Sequence, residues 1–188
     1  MPESVPTPIQ THRWTRQQYE KMVQGGVLTE EDRVELLNGR IVAMSPQNSQ
    51  HATAVTLCRR ALEAACGDEV FVRTQAPLAL GPHSEPEPDL ALISGTARDF
   101  WDEHPNQAVL VVEVADTSLE KDREHKRRLY AEHGVPEYWI LNLEDLHVEV
   151  YQSPTGNDYE EKTTYHSGDD LPLASAPCSP ISVTDLIP

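Results

Sequence analysis

The chain has 188 residues, the size of one domain, and can bury a hydrophobic core without cross-links. Its 31 acidic residues outnumber its 15 basic ones and give a net charge of −16. That charge argues against sequence-independent binding of nucleic acid, which depends on many contacts between cations and phosphates. No cationic start precedes an apolar run at the N-terminus, and no apolar stretch has the ~18 residues of a membrane span. We therefore expect a cytoplasmic protein with no membrane association.

The cysteines Cys58, Cys66 and Cys178 are odd in number and lack C-x-x-C spacing. This pattern predicts three free thiols in a reducing compartment, and it favours neither a disulfide framework nor a zinc site.

Apolar periodicity and turn residues predict three helices, a hairpin and a series of strands. The helices fall at about 15–24, 49–66 and 119–132, and the strands at about 34–37, 40–44, 69–74, 88–93, 109–114, 137–141 and 147–151. Thr15 and Gln18 can form a capping box, and Asn38-Gly39 between two apolar runs is a strong hairpin signal. Residues 1–13 are predicted to be a disordered lead, and residues 153–188 an edge hairpin followed by a loose proline-rich tail.

The run 109–114 is apolar on both faces, which is typical of a central strand covered by helices. The strand–helix–strand order across 109–141 predicts a crossover between parallel strands. The sequence therefore predicts an α/β fold in which helices flank a mixed β-sheet, with an added N-terminal helix and hairpin.

Two acidic residues are candidates for chemistry. Glu113 interrupts the apolar run at 109–114, where an unpaired carboxylate would cost several kcal/mol, so a cation should compensate it. An arginine partner at the end of the strand is the alternative. Asp89 follows Pro88 at the start of a strand, where it could share a cation with Glu113, although an aspartate after proline is more often a turn residue.

The third helix carries a lysine on its apolar stripe. The stripe consists of Leu119, Asp122, Lys126, Leu129, Tyr130 and His133, at helical spacing. Lys126 should therefore point toward the sheet, where it could orient water or stabilise charge on a phosphate. A lysine whose tip reaches back to water is the alternative.

Other polar residues are weaker candidates. Glu35, before the hairpin turn, is predicted from its position alone to be exposed. His51, in the first turn of the second helix, could meet phosphate or water or simply lie on the surface. Five of the fifteen basic residues lie within 121–128; among them Lys121 and Arg123 could hold phosphate, or this could be a solvated helix face. The sequence has no Walker loop, G-x-G-x-x-G, G-x-S-x-G or H-E-x-x-H motif.

Several segments together match one family. They are ELLNGRIV at 35–42, His51, PEPD at 86–89, VEVADTS at 112–118, Lys121-Asp122-Arg123, Lys126, Tyr130 and GVPEYWI at 134–140. These segments resemble the Uma-type restriction endonuclease family of the PD-(D/E)XK nuclease superfamily. The resemblance covers roughly 14–185, which we treat as a single nuclease-like domain, and the block at 134–139 is its most specific part.

The resemblance implies a restriction-endonuclease-like fold with Asp89 and Glu113 as ligands of Mg²⁺ or Mn²⁺. It also implies Glu35 as a third acidic member of the site. The superfamily lysine normally lies two residues after the glutamate, and that position is Ala115 here. Lys126 is the natural substitute.

The leading hypothesis is a metal-dependent endonuclease that hydrolyses phosphodiester bonds, with DNA as the expected substrate. The alternative is a catalytically retired nuclease fold that binds protein or nucleic acid, which the charge of −16 and the displaced lysine favour. A hydrolase of small phosphoesters is a third hypothesis. A homodimer is plausible for the endonuclease, because cleaving a duplex needs two sites or two events.

Overall fold

A computed structural model describes residues 11–187 of the chain. Its helices are α1 (Arg16–Gln24), α2 (Ser49–Ala65) and α3, a continuous helix formed by Leu119–Lys121, Asp122–Lys126 and Arg127–Glu132. Its strands are β1 (Val34–Leu37), β2 (Arg40–Ala43), β3 (Val70–Thr74), β4 (Leu90–Ser94), β5 (Leu110–Ala115), β6 (Glu137–Asn142), β7 (His147–Thr155), β8 (Asp158–His166), β9 (Asp170–Leu171) and β10 (Ile181–Ser182). The predicted elements are all present, with ends that differ by a few residues.

Six strands form one mixed sheet in the order β3-β4-β5-β6-β7-β8. Strands β5 and β6 are parallel, whereas every other neighbouring pair is antiparallel. Helix α3 connects the parallel pair, so the predicted crossover is confirmed. Every residue of β5 and β6 is buried, because packed side chains cover both faces of the sheet at its centre.

The two faces of the sheet carry separate hydrophobic clusters. One cluster packs α2 against alternate residues of β5, such as Val112 and Val114. The other packs α3 against the intervening residues, such as Val111 and Ala115. Because successive side chains of a strand point to opposite faces, Glu113 faces α3. The sheet alone therefore directs this carboxylate toward the helix that carries Lys126.

The N-terminal additions form a small unit of their own. Thr15 caps α1 in a capping box with Gln18, as predicted. Strands β1 and β2 pair around Asn38-Gly39, and both turn residues have positive φ, as a tight hairpin turn requires. The amide of Glu85 donates to the carbonyl of Leu36 at 2.7 Å, which fixes the hairpin against the segment before β4.

Helix α3 contains a π-helical turn over Asp122–Lys126. The amide of Arg127 there donates to the carbonyl of Asp122, five residues earlier. One extra residue in the turn shifts the helix face by about 100° relative to a regular α-helix. Such turns often occur at functional sites, and this one places both of its end residues, Asp122 and Lys126, on the buried side.

The C-terminal tail differs from the prediction. Strand β8 provides the expected edge hairpin with β7, but the residues beyond it are not loose. Six apolar side chains of the tail are buried in the cluster under α2, namely Leu171, Leu173, Ile181, Val183, Leu186 and Ile187. Proline content indicated a loose tail, whereas the apolar residues between the prolines decide the packing.

The prediction of three free thiols is wrong for two of them. Cys66, just after α2, forms a disulfide with Cys178 in the tail, 112 residues away. The amide of Ser179 donates to the carbonyl of Ala65 at 3.0 Å, so the tail runs directly past the helix end. Cys58 is free and buried. Cysteine spacing carried no signal of this pairing, because only the docking of the tail brings the thiols together.

Most of the predicted lead, residues 1–10, lies outside the described residues. Of its last residues, Arg13 donates from its guanidinium to the carbonyl of Asn38 at 3.2 Å. The disorder predicted for 1–13 stays a prediction. Within residues 11–187, no helix has both the length and the apolar character needed to cross a membrane.

Candidate active site

Strands β4 and β5 bring Asp89 and Glu113 to the same place. Leu90 lies opposite Val112 in the antiparallel register, so Asp89, one residue earlier, lies at the level of Glu113. The amide of Val114 donates to Oδ2 of Asp89 at 2.9 Å. Both carboxylates are nearly buried, with 8% of Asp89 and 3% of Glu113 exposed.

Helix α3 supplies two donors to Glu113. The Lys126 ammonium donates to Oε1 of Glu113 at 2.9 Å, and the Tyr130 hydroxyl donates to the same oxygen at 2.7 Å. Lys126 is only 4% exposed, which confirms its predicted inward orientation. The alternative, a lysine whose tip reaches back to water, is excluded. Tyr130 was not predicted to be a site residue, although it lies four residues after Lys126 on the same stripe.

The hairpin contributes a third carboxylate. Glu35 is fully buried, so the exposure predicted from its position is wrong. Its carboxylate lies 3.3 Å from the Lys126 ammonium and accepts from Lys121 at 3.2 Å and from the amide of Glu87 at 3.2 Å. Docking of the hairpin on the segment before β4 buries it, which the local pattern could not indicate. Lys126 therefore bridges two buried glutamates.

His51 supports Asp89. Asn48 caps α2 by accepting from the amide of His51 at 2.9 Å, which sets the first turn of the helix against β4. Nε2 of His51 lies 3.1 Å from Oδ2 of Asp89. Because a carboxylate can only accept, Nε2 carries the proton in this pair. Nδ1 is buried and has no hydrogen-bond partner within residues 11–187.

Asp122 is a fourth buried carboxylate, 1% exposed, at the start of the π-helical turn. The hydroxyl of Ser118 donates to it at 2.5 Å. The sequence placed Asp122 on the apolar stripe of α3 but not in the site. An aspartate at a core position of an amphipathic helix was the signal that could have identified it.

The site contains more acid than base. Five carboxylates line it (Glu35, Glu87, Asp89, Glu113, Asp122), against the cations of Arg33, Lys121 and Lys126. Burial raises the pKa of Glu113 to about 8; the charges of Asp122 and Asp89 add to the rise and Lys126 opposes it. Burial also disfavours charge on Lys126, yet its pKa is raised because Glu113, Glu35 and Asp122 surround it. Lys126 is therefore a stable cation in a region of excess negative charge.

Asp89 and His51 shift each other's pKa in opposite directions. Burial disfavours the charged form of both groups. Their mutual hydrogen bond and charges outweigh it, so the pKa of Asp89 is lowered and that of His51 is raised. Asp89 is therefore held in its anionic form.

Comparisons with known proteins identify the family and the fold of this chain. A family model described as "Uma2: Putative restriction endonuclease" matches residues 16–180, nearly the whole chain. The chain belongs to the Uma2 family. Its fold is similar to the crystal structure described as a "putative nuclease belonging to DUF820" from Anabaena variabilis ATCC 29413, with a TM-score of 0.71 at 17% identity, over 92% of this chain and 96% of that one. No curated protein matches the sequence.

The Uma2 assignment implies a divalent cation, and the donor set suits one. Carboxylate oxygens are the ligands that Mg²⁺ prefers, usually one or two of them together with water and substrate phosphate. Oε2 of Glu113 accepts no hydrogen bond from residues 11–187, where only Oε1 is engaged. Within residues 11–187, no group of three or more His, Cys, Asp or Glu side chains is arranged to hold a metal ion by itself. An ion held by Asp89 and Glu113 would complete its shell with water and substrate.

The predicted phosphate-binding residues are not all at the site. His51 and Lys121 line the small cleft over these carboxylates. The cleft has a volume of about 50 Å³, room for a few water molecules. Lys121 is partly exposed at the cleft mouth. Arg123 instead points away and donates to Glu149 on β7 at 3.1 Å. Arg123 is not among the residues that line the cleft, so the structure does not bring it to the site.

Proposed function

We propose that this protein is a metal-dependent nuclease that hydrolyses phosphodiester bonds, with DNA as its substrate. One observation carries the proposal: a buried lysine from α3 bridges the strand glutamate and the hairpin glutamate beside Asp89. In this proposal Lys126 takes the role of the superfamily lysine, whose usual place in the sequence is Ala115 here.

Asp89 and Glu113 are the proposed ligands of Mg²⁺ or Mn²⁺. The bound ion would supply an activated water and positive charge against the phosphate. His51 is a positioning residue in this proposal, because it donates to Oδ2 of Asp89 at 3.1 Å and thereby fixes the orientation of that carboxylate.

Lys126 is the proposed stabiliser of charge on the phosphate. Its ammonium is held by Glu113 and Glu35 in a region from which water is largely excluded, where a fixed cation acts more strongly than in water. Lys121, at the cleft mouth, is suited to a neighbouring phosphate and would set the register of the substrate.

The cellular setting is part of the same proposal. We propose that the protein acts in the cytoplasm, although the disulfide removes the thiol-based reason for expecting it there. Duplex cleavage requires attack on two strands, so we also propose a homodimer, which sedimentation of the purified protein at several concentrations would test.

Thermal melts with and without Mn²⁺ or Mg²⁺ test the metal site, in wild type, Glu113→Gln and the control Glu132→Gln. Glu132 is an exposed residue of α3 that does not line the cleft. A ligand that binds only the folded state adds about 2.7 kcal/mol at one hundred times its dissociation constant. We expect metal to raise the midpoint of wild type and Glu132→Gln but not that of Glu113→Gln.

Cleavage of single-stranded and duplex DNA is then measured with the same three proteins, with metal and with chelator. We expect wild type and Glu132→Gln to cleave only with metal. Glu113→Gln cleaving as fast as wild type would contradict the proposal. DNA binding without cleavage or metal-dependent stabilisation would instead favour a retired nuclease fold, and cleavage of generic small phosphodiesters alone would favour a small-molecule hydrolase.

A further inference from the structure

A second, larger cleft adjoins the candidate active site. It has a volume of about 320 Å³ and lies between the end of α1, the segment before β1 and the end of β2. Five residues line both clefts, namely Arg33, Met44, Gln47, Glu87 and Asp89. A ligand in the larger cleft would therefore lie next to the carboxylates proposed to hold the metal.

The cleft has the size and lining of a site for a small organic group. Its volume lies at the lower end of the roughly 300–1,000 Å³ typical of ligand sites. Apolar surface comes from Tyr19, Val23, Leu28 and Met44. A flat ring with apolar faces would pack between such side chains and turn its polar edge to the remaining wall.

The polar wall is rich in acceptors. The carboxylates of Glu30 and Glu87 accept no hydrogen bond and form no ion pair within residues 11–187. Gln75 uses its amide nitrogen to donate to Asp89 at 3.3 Å, which leaves its carbonyl oxygen free. A ligand that fits this wall carries hydrogen-bond donors on its edge.

We infer that the larger cleft receives an unstacked nucleobase with an exocyclic amino group, from the nucleotide next to the bond that is cut. The inference rests on the proposed nuclease function and names a specificity site for it. Enzymes that extrude a base bind it between apolar side chains and read its edge by hydrogen bonds. Carboxylates accept from the amino groups of bases, whereas thymine has no such group.

Two further features suit this placement. Arg33 is exposed, has no ion-pair partner in the described part of the chain, and lies where the two clefts meet. It is placed to hold the phosphate between the base and the reacting group. Gln75 contacts both the cleft and Asp89, so base entry would bear directly on the position of that carboxylate.

The test compares two neighbouring tryptophan substitutions. Leu28→Trp fills the cleft, whereas Val27→Trp adds the same side chain at a position 69% exposed and outside it. Val23→Trp fills the cleft from a half-exposed position on α1 and serves if Leu28→Trp does not fold. Each protein is mixed, in Ca²⁺, with DNA duplexes that carry a single 2-aminopurine at successive positions, and both fluorescence and DNA binding are recorded. Cleavage is measured separately in Mn²⁺.

We expect 2-aminopurine fluorescence to rise at one position with wild type and with Val27→Trp, but not with Leu28→Trp or Val23→Trp. Cleavage by the filled variants should fall about tenfold, the scale of one base-stacking interaction. Their preference for an amino-bearing base over thymine at that position should also disappear.

The outcomes separate the two proposals. Cleavage by wild type with no fluorescence change, and equal rates for the Leu28 and Val27 variants, would overturn the base site but not the nuclease function. The base site would be supported if fluorescence rises with wild type and Val27→Trp but not with the two cleft-filling variants. If the wild type then cleaves no DNA, hydrolysis is overturned. No DNA binding by any of the proteins would overturn both.

Discussion

Two buried glutamates on one face of the sheet have opposite environments. Glu113 on β5 pairs with Ile140 on β6, and Ile140 pairs with Glu149 on β7, so the two carboxylates flank one residue. Both are at most 3% exposed, and each accepts from a tyrosine hydroxyl. On helix α3, Lys126 donates to Glu113 and Arg123 donates to Glu149.

The difference lies in the surrounding charges. Glu149 accepts from Arg123, Tyr151 and Lys162, and although burial opposes its charge these hydrogen bonds lower its pKa to about 2. Glu113 has one ammonium and several carboxylates nearby, and its pKa is raised to about 8. The protein's own donors and cations fully satisfy the Glu149 carboxylate, as is typical of a residue in a structural ion pair. Glu113 is left short of positive charge, as expected for a residue that binds a cation from solution.

The largest expected effect comes from exchanging the two helix cations for methionine. Lys126→Met should lower the DNA cleavage rate roughly 100- to 1,000-fold, because it removes a fixed cation from the reacting group. Arg123→Met should cleave close to the wild-type rate. Single-turnover rates in Mn²⁺ measure this, and an equal loss in the two variants would mean that the two glutamates do not differ in function.

A smaller effect is expected on the free energy of unfolding. Here the substitution at Glu149 should cost more than the substitution at Glu113. Glu149→Gln should lower the free energy of unfolding by about 2 kcal/mol, since it leaves Arg123 and Lys162 without their anion, although both can still reach water. Glu113→Gln should cost about 1 kcal/mol or less in the metal-free protein, because Lys126 keeps Glu35. Denaturant unfolding in chelator compares them; a costlier Glu113→Gln would reverse our interpretation of the charge balance.

The smallest effect is on the dependence of stability on pH below about 4.5. The folded pKa of Glu149 lies below its ordinary value of 4.5, so its contribution is complete above that pH. It should be lost progressively as the pH falls from about 4.5 toward about 2. The stability difference between wild type and Glu149→Gln should therefore shrink across this range. A difference independent of pH would show that the carboxylate does not act through its charge.

The sequence by itself determined the elements and part of the site. Local periodicity and turn chemistry are sufficient for α1, the hairpin, the crossover from β5 to β6 and the inward orientation of Lys126. They also single out Glu113, because an acid within an apolar strand requires compensation. The family resemblance added Glu35 and the metal to that local evidence.

Only the tertiary structure decided which charges meet. Glu35 is buried because the hairpin docks on the segment before β4, Arg123 turns to Glu149 because β7 lies beside β6, and Cys66 meets Cys178 because the tail packs under α2. Each of these depends on contacts between residues far apart in the chain, whereas periodicity reports only the face of its own element.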